Sequence, residues 1–178
     1  MPASTEGETE LAMKDDVLAP FPPRKHDHVA CVTDALDAAE DKCRAEGLRL
    51  TPLRRRVLEL VWSSHGPVGA YDILDRLRGE RDGVAPPTVY RALDFLRDHE
   101  LVHRIESLNA FVGCGDPARR HGGQFLICTD CGAVAELDDP AIARTVVRRA
   151  GAIGFTVEHQ MIEISGRCAA CAETGGAA

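Results

Sequence analysis

Two Cys-x-x-Cys pairs, Cys128/Cys131 and Cys168/Cys171, constrain this chain more than any other feature. Two residues between cysteines let one tight turn aim both sulfurs at a single ion, and two such turns brought together complete a tetrahedron with no position left for water or substrate. The spacing therefore predicts a closed, structural zinc site. Gly132, directly after Cys131, suits a chain reversing around a metal, where a positive φ is often required. Disulfides are the competing reading; against them stand an odd total of seven cysteines and the lack of a secretory segment ahead of them. A thioredoxin-like motif would sit in a βαβ context and would not come as two matched pairs.

The chain has 178 residues, 44% apolar and 28% charged, room for one moderate domain or two small ones, and its bulk is neither membrane-spanning nor disordered in character. Residues 1–28 read as a flexible acidic extension with no apolar run of signal-peptide type, so a cytoplasmic protein is expected. The net charge of −7 argues at first against nucleic acid, but its distribution does not. Residues 42–104 carry 12 Lys/Arg against 9 Asp/Glu, while both flanking segments are net acidic. Binding depends on charge at the contact surface more than on the total, so a local DNA-binding face remains open.

Apolar spacing predicts a first helix over residues 29–46, with Cys31 and Cys43 on its apolar side as core thiols. Thr51-Pro52 supplies an N-cap and a first-turn proline for a second helix, whose buried stripe is Leu53, Val57, Leu58, Leu60 and Val61. A third helix is expected over 70–78 and a fourth over 88–98, after the breaker Gly83-Val84-Ala85-Pro86-Pro87. Two strand candidates follow, 101–106 and 110–114, which append a hairpin wing to a helix-turn-helix. Beyond Cys114 the pattern turns mixed: strands at 124–128 and 133–137, a helix from Pro140 to about Ala150, and a long strand over 155–165. The expected organisation is a winged-helix domain at 29–112, a hinge at 113–120, a small zinc-stapled α+β dimerisation domain at 121–173 and a frayed tail at 174–178. A domain that small needs the metal and a partner subunit to complete its core.

This order of elements resembles the ferric uptake regulator (Fur) family of bacterial metal-dependent repressors over roughly residues 30–172. The likeness is carried by Arg49-Leu50-Thr51-Pro52, by Pro87-Thr88-Val89-Tyr90-Arg91-Ala92-Leu93 and by Cys128-Thr129-Asp130-Cys131-Gly132. Ala70-Tyr71-Asp72-Ile73-Leu74, 102–107 and 109–114 are most similar to its zinc uptake regulator (Zur) branch. Iron-sensing members carry a His-rich run just before the first Cys pair, where this chain has His121-Gly122-Gly123-Gln124. The long acidic extension is also outside the family pattern.

The resemblance implies a homodimer that binds an A·T-rich inverted repeat in double-stranded DNA when a sensor metal is bound. It implies two zinc ions per subunit, one structural on the four cysteines and one regulatory on His103, Cys114, His121 and Glu136. Taken alone, Cys114 reads as a buried apolar thiol and His121 as a solvated loop histidine rather than as ligands; the resemblance reverses that reading. His159 is expected to be a structural histidine in the long strand, and His26 and His28 part of a charged tail. For DNA, Tyr90 and Arg91 are the base-reading candidates and Thr88 and Tyr71 the phosphate or sugar contacts, with Arg49, Arg54, Arg55 and Arg56 in support. Asp75 and Arg78 read as an intrahelical pair. An iron or manganese sensor of the same family is the alternative. A zinc hydrolase would need an open position for water, which a fourth ligand at Cys114 closes; with no nucleophile triad or phosphate loop, no enzyme is expected.

Overall fold

Thr51 caps the second helix as its sequence predicts, its hydroxyl accepting from Arg54 N at 3.4 Å with Pro52 in the first turn. The computed structural model describes residues 16–21, 28–64, 66–119 and 121–175. Among these residues a short strand, β1 (Val17–Ala19), is followed by four helices: α1 (His28–Ala45), α2 (Pro52–Trp62), α3 (Ala70–Glu80) and α4 (Pro86–Asp98). Their apolar stripes meet in one core, where Leu36, Ala39 and Cys43 of α1 pack with Val57, Leu58 and Val61 of α2, Ile73 and Leu77 of α3, and Val89, Leu93 and Leu96 of α4. Cys43 is thus the core thiol that its helical phase indicated. Pro86 and Pro87 open α4, where a missing N–H costs nothing because first-turn N–H groups lack helical partners.

The wing is a three-stranded sheet rather than a simple hairpin. β3 (Val102–Ile105) and β4 (Ala110–Gly113) pair antiparallel around a 3-10 turn at Glu106–Leu108, and β2 (Val68–Gly69) adds to the other side of β4. Two residues are too few to show a period, so this strand has no sequence signal.

The C-terminal part holds β5 (Gly123–Cys128), β6 (Val134–Leu137), α5 (Pro140–Gly151), β7 (Met161–Gly166) and α6 (Ala169–Gly175). Its sheet runs β1-β6-β5-β7, with β5 and β7 parallel and the other pairs antiparallel. Three expectations are corrected here. The strand expected over 155–165 begins only at Met161, because its partner β5 begins at Gly123, directly opposite Met161, and the residues before it have no strand to join. The tail is helical through Gly175, an alanine-bearing run that favours helix. And β1 (Val17–Ala19), within the stretch expected to be a flexible extension, forms the edge strand beside β6, with Ala19 opposite Glu136.

The wing also packs onto this second sheet. Ile105 and Val112 share a buried cluster with Phe125 and Ile127, against which Val134 and Met161 pack. The two halves of the chain therefore meet through an apolar core, and the functional candidates lie along that seam.

Candidate metal centre and nucleic-acid interface

Cys128 ends β5, and a tight turn returns the chain at Gly132, whose φ of 72° and bond from N to Cys128 O (2.9 Å) make the predicted reversal. Cys168 lies just before α6 and Cys171 in its first turn. The four sulfurs lie within 4.8 Å of one another, Cys131 and Cys168 at 3.9 Å. A tetrahedron with metal–sulfur bonds of about 2.3 Å has edges of about 3.8 Å, so the set fits a zinc ion. Cys168 N donates to Cys128 Sγ at 3.3 Å, and N–H groups of Cys168 and Cys131 hold the Cys128 thiol at about 6. Cys171, hydrogen-bonded to the sulfurs of Cys168 and Cys131, is pushed up to about 12. Four thiols this close cannot all ionise unless a cation sits among them. None of the cysteines is in a disulfide.

The second set is assembled from four separate elements. His103 comes from β3, Cys114 follows β4, His121 precedes β5 and Glu136 lies in β6. His121 Nε2 is 3.2 Å from His103 Nε2, 3.5 Å from Cys114 Sγ and 2.7 Å from Glu136 Oε1, and His103 Nε2 is 2.8 Å from that oxygen. Their ligand atoms all fall within 4.8 Å. Two of them are aimed by hydrogen bonds from outside the set. His121 Nδ1 donates to Arg119 O at 2.8 Å, which turns Nε2 inward, and Gly115 N donates to Glu136 Oε2 at 2.8 Å, which turns Oε1 to the same point. His103 lies tilted against Phe125, with ring centroids 5.2 Å apart.

Burial disfavours charge throughout this cluster, yet mutual pairing wins. Burial would lower His103, but bonds to Cys114 and Glu136 raise it to about 9. Bonds to Cys114 and Glu136 raise His121 to about 11. Glu136, 2% exposed, is driven up by burial but held at about 2 by the two histidines. Two imidazoles, a thiol and a carboxylate converging on one buried point form a donor set that a divalent cation satisfies.

The predicted DNA face is outward-facing. Tyr71 on α3 (67% exposed) and Tyr90 on α4 are large exposed aromatics, Arg91 is exposed and Thr88 is half-buried. Arg91 Nε donates to Pro87 O within its own helix (3.1 Å), so its guanidinium is otherwise lightly held. The supporting arginines are a different matter. Arg54 stacks 3.5 Å over Phe95 and bonds Arg49 O, Arg55 pairs with Glu40 at 2.8 Å, and Arg56 pairs with Glu59 and Glu80. All three have partners within their own domain, with the Arg55 and Arg56 side chains still 44% and 37% exposed. Asp75 and Arg78 do pair along α3, at 3.9 Å.

His159 is exposed in the segment before β7 rather than in a strand, and neither it nor Cys31 belongs to a ligand set among the described residues; His26 lies outside those residues. Sequence reasoning missed Trp62 at the end of α2, which fills the space above Gly113: a Cβ there would lie 2.0 Å from the indole. It also missed Lys42, whose Nζ donates to Pro117 O in the hinge (2.6 Å), and Glu163 on β7. None has a local pattern that marks it, because each acts on a segment distant in sequence.

A model of the ferric uptake regulator family matches residues 45–165. The zinc uptake regulation protein of Escherichia coli K12 is 41% identical over 143 residues, spanning 79% of this chain and 82% of that protein. The peroxide operon regulator of Bacillus subtilis is 28% identical over 138 residues, spanning 78% and 94%. Among solved structures, a zinc uptake regulator complexed with zinc and DNA superposes with a TM-score of 0.76 at 40% identity, covering 82% of this chain and 97% of that one. The crystal structure of holo XcZur gives 0.71 at 45% identity, covering 78% and 96%.

Proposed function

The chain belongs to the ferric uptake regulator family, and from that premise we propose that it is a zinc-responsive transcriptional repressor, a homodimer that binds operator DNA when loaded with zinc and controls zinc uptake genes. The observation that carries this reading is the convergence of His103, Cys114, His121 and Glu136 at the seam between the wing and the second sheet. Zinc accepts such a mixed set tetrahedrally, while a thiolate ligand disfavours manganese and magnesium. The manganese alternative is weakened by Cys114 and the iron alternative by the lack of a His-rich run just before the first Cys pair, and four protein ligands leave no open position for hydrolysis. Two ions per subunit follow, the four cysteines holding the structural one. Among the described residues no helix is long and apolar enough to cross a membrane.

The ion, when bound, supplies a crosslink. His103 and Cys114 anchor it to the wing and its end, and His121, just after the hinge, and Glu136 anchor it to the second sheet, so all four can engage only at one inter-domain angle. That angle positions α4 against its counterpart in a second copy, and hence decides which half-site spacing fits. The test is operator binding with Zn²⁺, Fe²⁺ or Mn²⁺ added in turn: zinc should support it at the lowest free-metal concentration, and stronger support by iron or manganese would refute the zinc assignment.

A second copy also supplies what the C-terminal part lacks. α5 buries none of its residues, Val147 and Phe155 are exposed, and Ile153 is 84% exposed. Burying one such side chain contributes about 1.5–3 kcal/mol, and a symmetric dimer uses each twice. Val147→Asp combined with Phe155→Asp should therefore give monomers that keep the four-cysteine zinc, as read by sedimentation and metal content. Persistence of the dimer would exclude this surface as the interface.

Arg91 supports a base-reading role from the second turn of α4. Arg91→Ala should cost about 1–3 kcal/mol at the operator and relax specificity there, with zinc content and dimerisation unchanged. Equal weakening on operator and random DNA would make Arg91 a phosphate contact instead.

A further inference from the structure

The seam between wing and sheet carries a polar contact that contains no metal ligand. Glu163 lies at the centre of β7, opposite Phe125 of β5, and reaches across to the turn at the tip of the wing. Its Oε1 accepts from Glu106 N at 2.6 Å and its Oε2 from Ser107 N at 3.2 Å, so one carboxylate spans two successive backbone N–H groups 56 and 57 residues away. Those groups open the 3-10 turn and have no partner within it. Burial opposes the charge on Glu163, but bonds from Ser107 and from both N–H groups keep its pKa below the ordinary carboxylate value. Beside it, Ile105 and Val112 of the wing are buried against Phe125 and Ile127 of the sheet. The wing tip is thus turned toward the second sheet and held there.

We propose that Glu163 is a positioning residue for the zinc switch, a latch that holds the wing on the C-terminal sheet without contacting zinc or DNA and so sets the zinc concentration at which the protein engages its operator. The inference rests on the reading of the chain as a zinc-switched DNA-binding protein. His103 and Glu136 can share one ion only when the wing lies on the sheet. The apparent zinc affinity is the intrinsic affinity reduced by the fraction of molecules in that arrangement. Removing the latch lowers this fraction; zinc in excess restores it. The effect therefore falls on the zinc midpoint and much less on DNA affinity at saturating zinc.

The experiment uses the full-length dimer with its structural zinc, titrated with buffered free Zn²⁺. Operator binding is followed by anisotropy, and the state of the seam by the emission of Trp62, the single tryptophan, which packs on Gly113. Charged hydrogen bonds of this kind correspond to roughly tenfold or more in an equilibrium. Glu163→Ala should raise the zinc midpoint in both signals, by up to about tenfold. Glu163→Gln, which keeps the shape but has one acceptor oxygen, should fall between it and the parent protein. Structural-zinc content, dimerisation and operator affinity at saturating zinc should stay within about threefold of the parent. An unchanged midpoint in both variants overturns the proposal, as does a loss of operator affinity equal at every zinc concentration, which would make Glu163 part of the DNA contact. A parent protein indifferent to zinc would overturn the functional reading itself, and the latch with it.

Discussion

Cys128→Ser should leave a protein that retains no zinc through dialysis and no longer forms dimers. Cys128 is buried at the end of β5, and its sulfur accepts the Cys168 N–H, so it joins the central strand of the sheet to the α6 turn. Thr129 N donates to Gly166 O at 2.8 Å and Arg167 Nε to Asp130 at 2.7 Å, so the two Cys turns are stitched together around the sulfurs. The apolar core beneath is small: Phe125 and Ile127 are its buried members from this sheet. A structural zinc supplies folding energy on the scale of a small domain's whole stability, so a core of this size is not expected to persist without it. A helix and sheet edge that have lost their support cannot present a dimer surface. Metal analysis after dialysis with sedimentation velocity checks this; a dimeric mutant with full zinc content would show that the four cysteines are not a zinc staple.

Cys114→Ser should separate the two sites. The residue is buried at the end of the wing, its sulfur 3.5 Å from His121 Nε2, in a ligand set separate from the four cysteines. The mutant should keep the structural ion and the dimer, bind one fewer zinc per subunit and lose zinc-induced operator binding. Serine offers a neutral hydroxyl where zinc takes a thiolate, so His103, His121 and Glu136 remain as a weaker three-ligand set. Allosteric coupling of about 1–3 kcal/mol corresponds to roughly 5- to 150-fold in DNA affinity, and this is the range that should vanish. Zinc-dependent operator binding at parental affinity would exclude Cys114 as a sensor ligand.

The two sites were legible in the sequence to different degrees, for a physical reason. The four cysteines declare themselves because each pair is local: two residues of spacing already dictate a turn that points both sulfurs one way. His103, Cys114, His121 and Glu136 have no such spacing, because they come from four elements and converge only through tertiary packing. Resemblance to a family, not periodicity, singled them out. The long helices were readable from their apolar stripes and from Thr51-Pro52. What could not be read depended on distant partners. β1 exists only because β6 offers an edge, β7 starts only where β5 starts, and Arg54, Arg55 and Arg56, a basic run in sequence, are drawn to Phe95, Glu40 and Glu80 in space. Glu163 finds its two N–H donors on a turn more than fifty residues away.

The most direct test of the central claim is to add zinc to dimer that holds only its structural ion while following operator binding and the zinc absorption edge together. Operator affinity should rise by roughly 5- to 150-fold as one further ion per subunit is taken up, and not beyond that point. The second ion's ligand shell should contain one sulfur at about 2.3 Å and three nitrogen or oxygen atoms at about 2.0–2.2 Å, against four sulfurs for the first. An operator affinity that is already maximal with one ion, or a second ion without sulfur in its shell, would contradict the account.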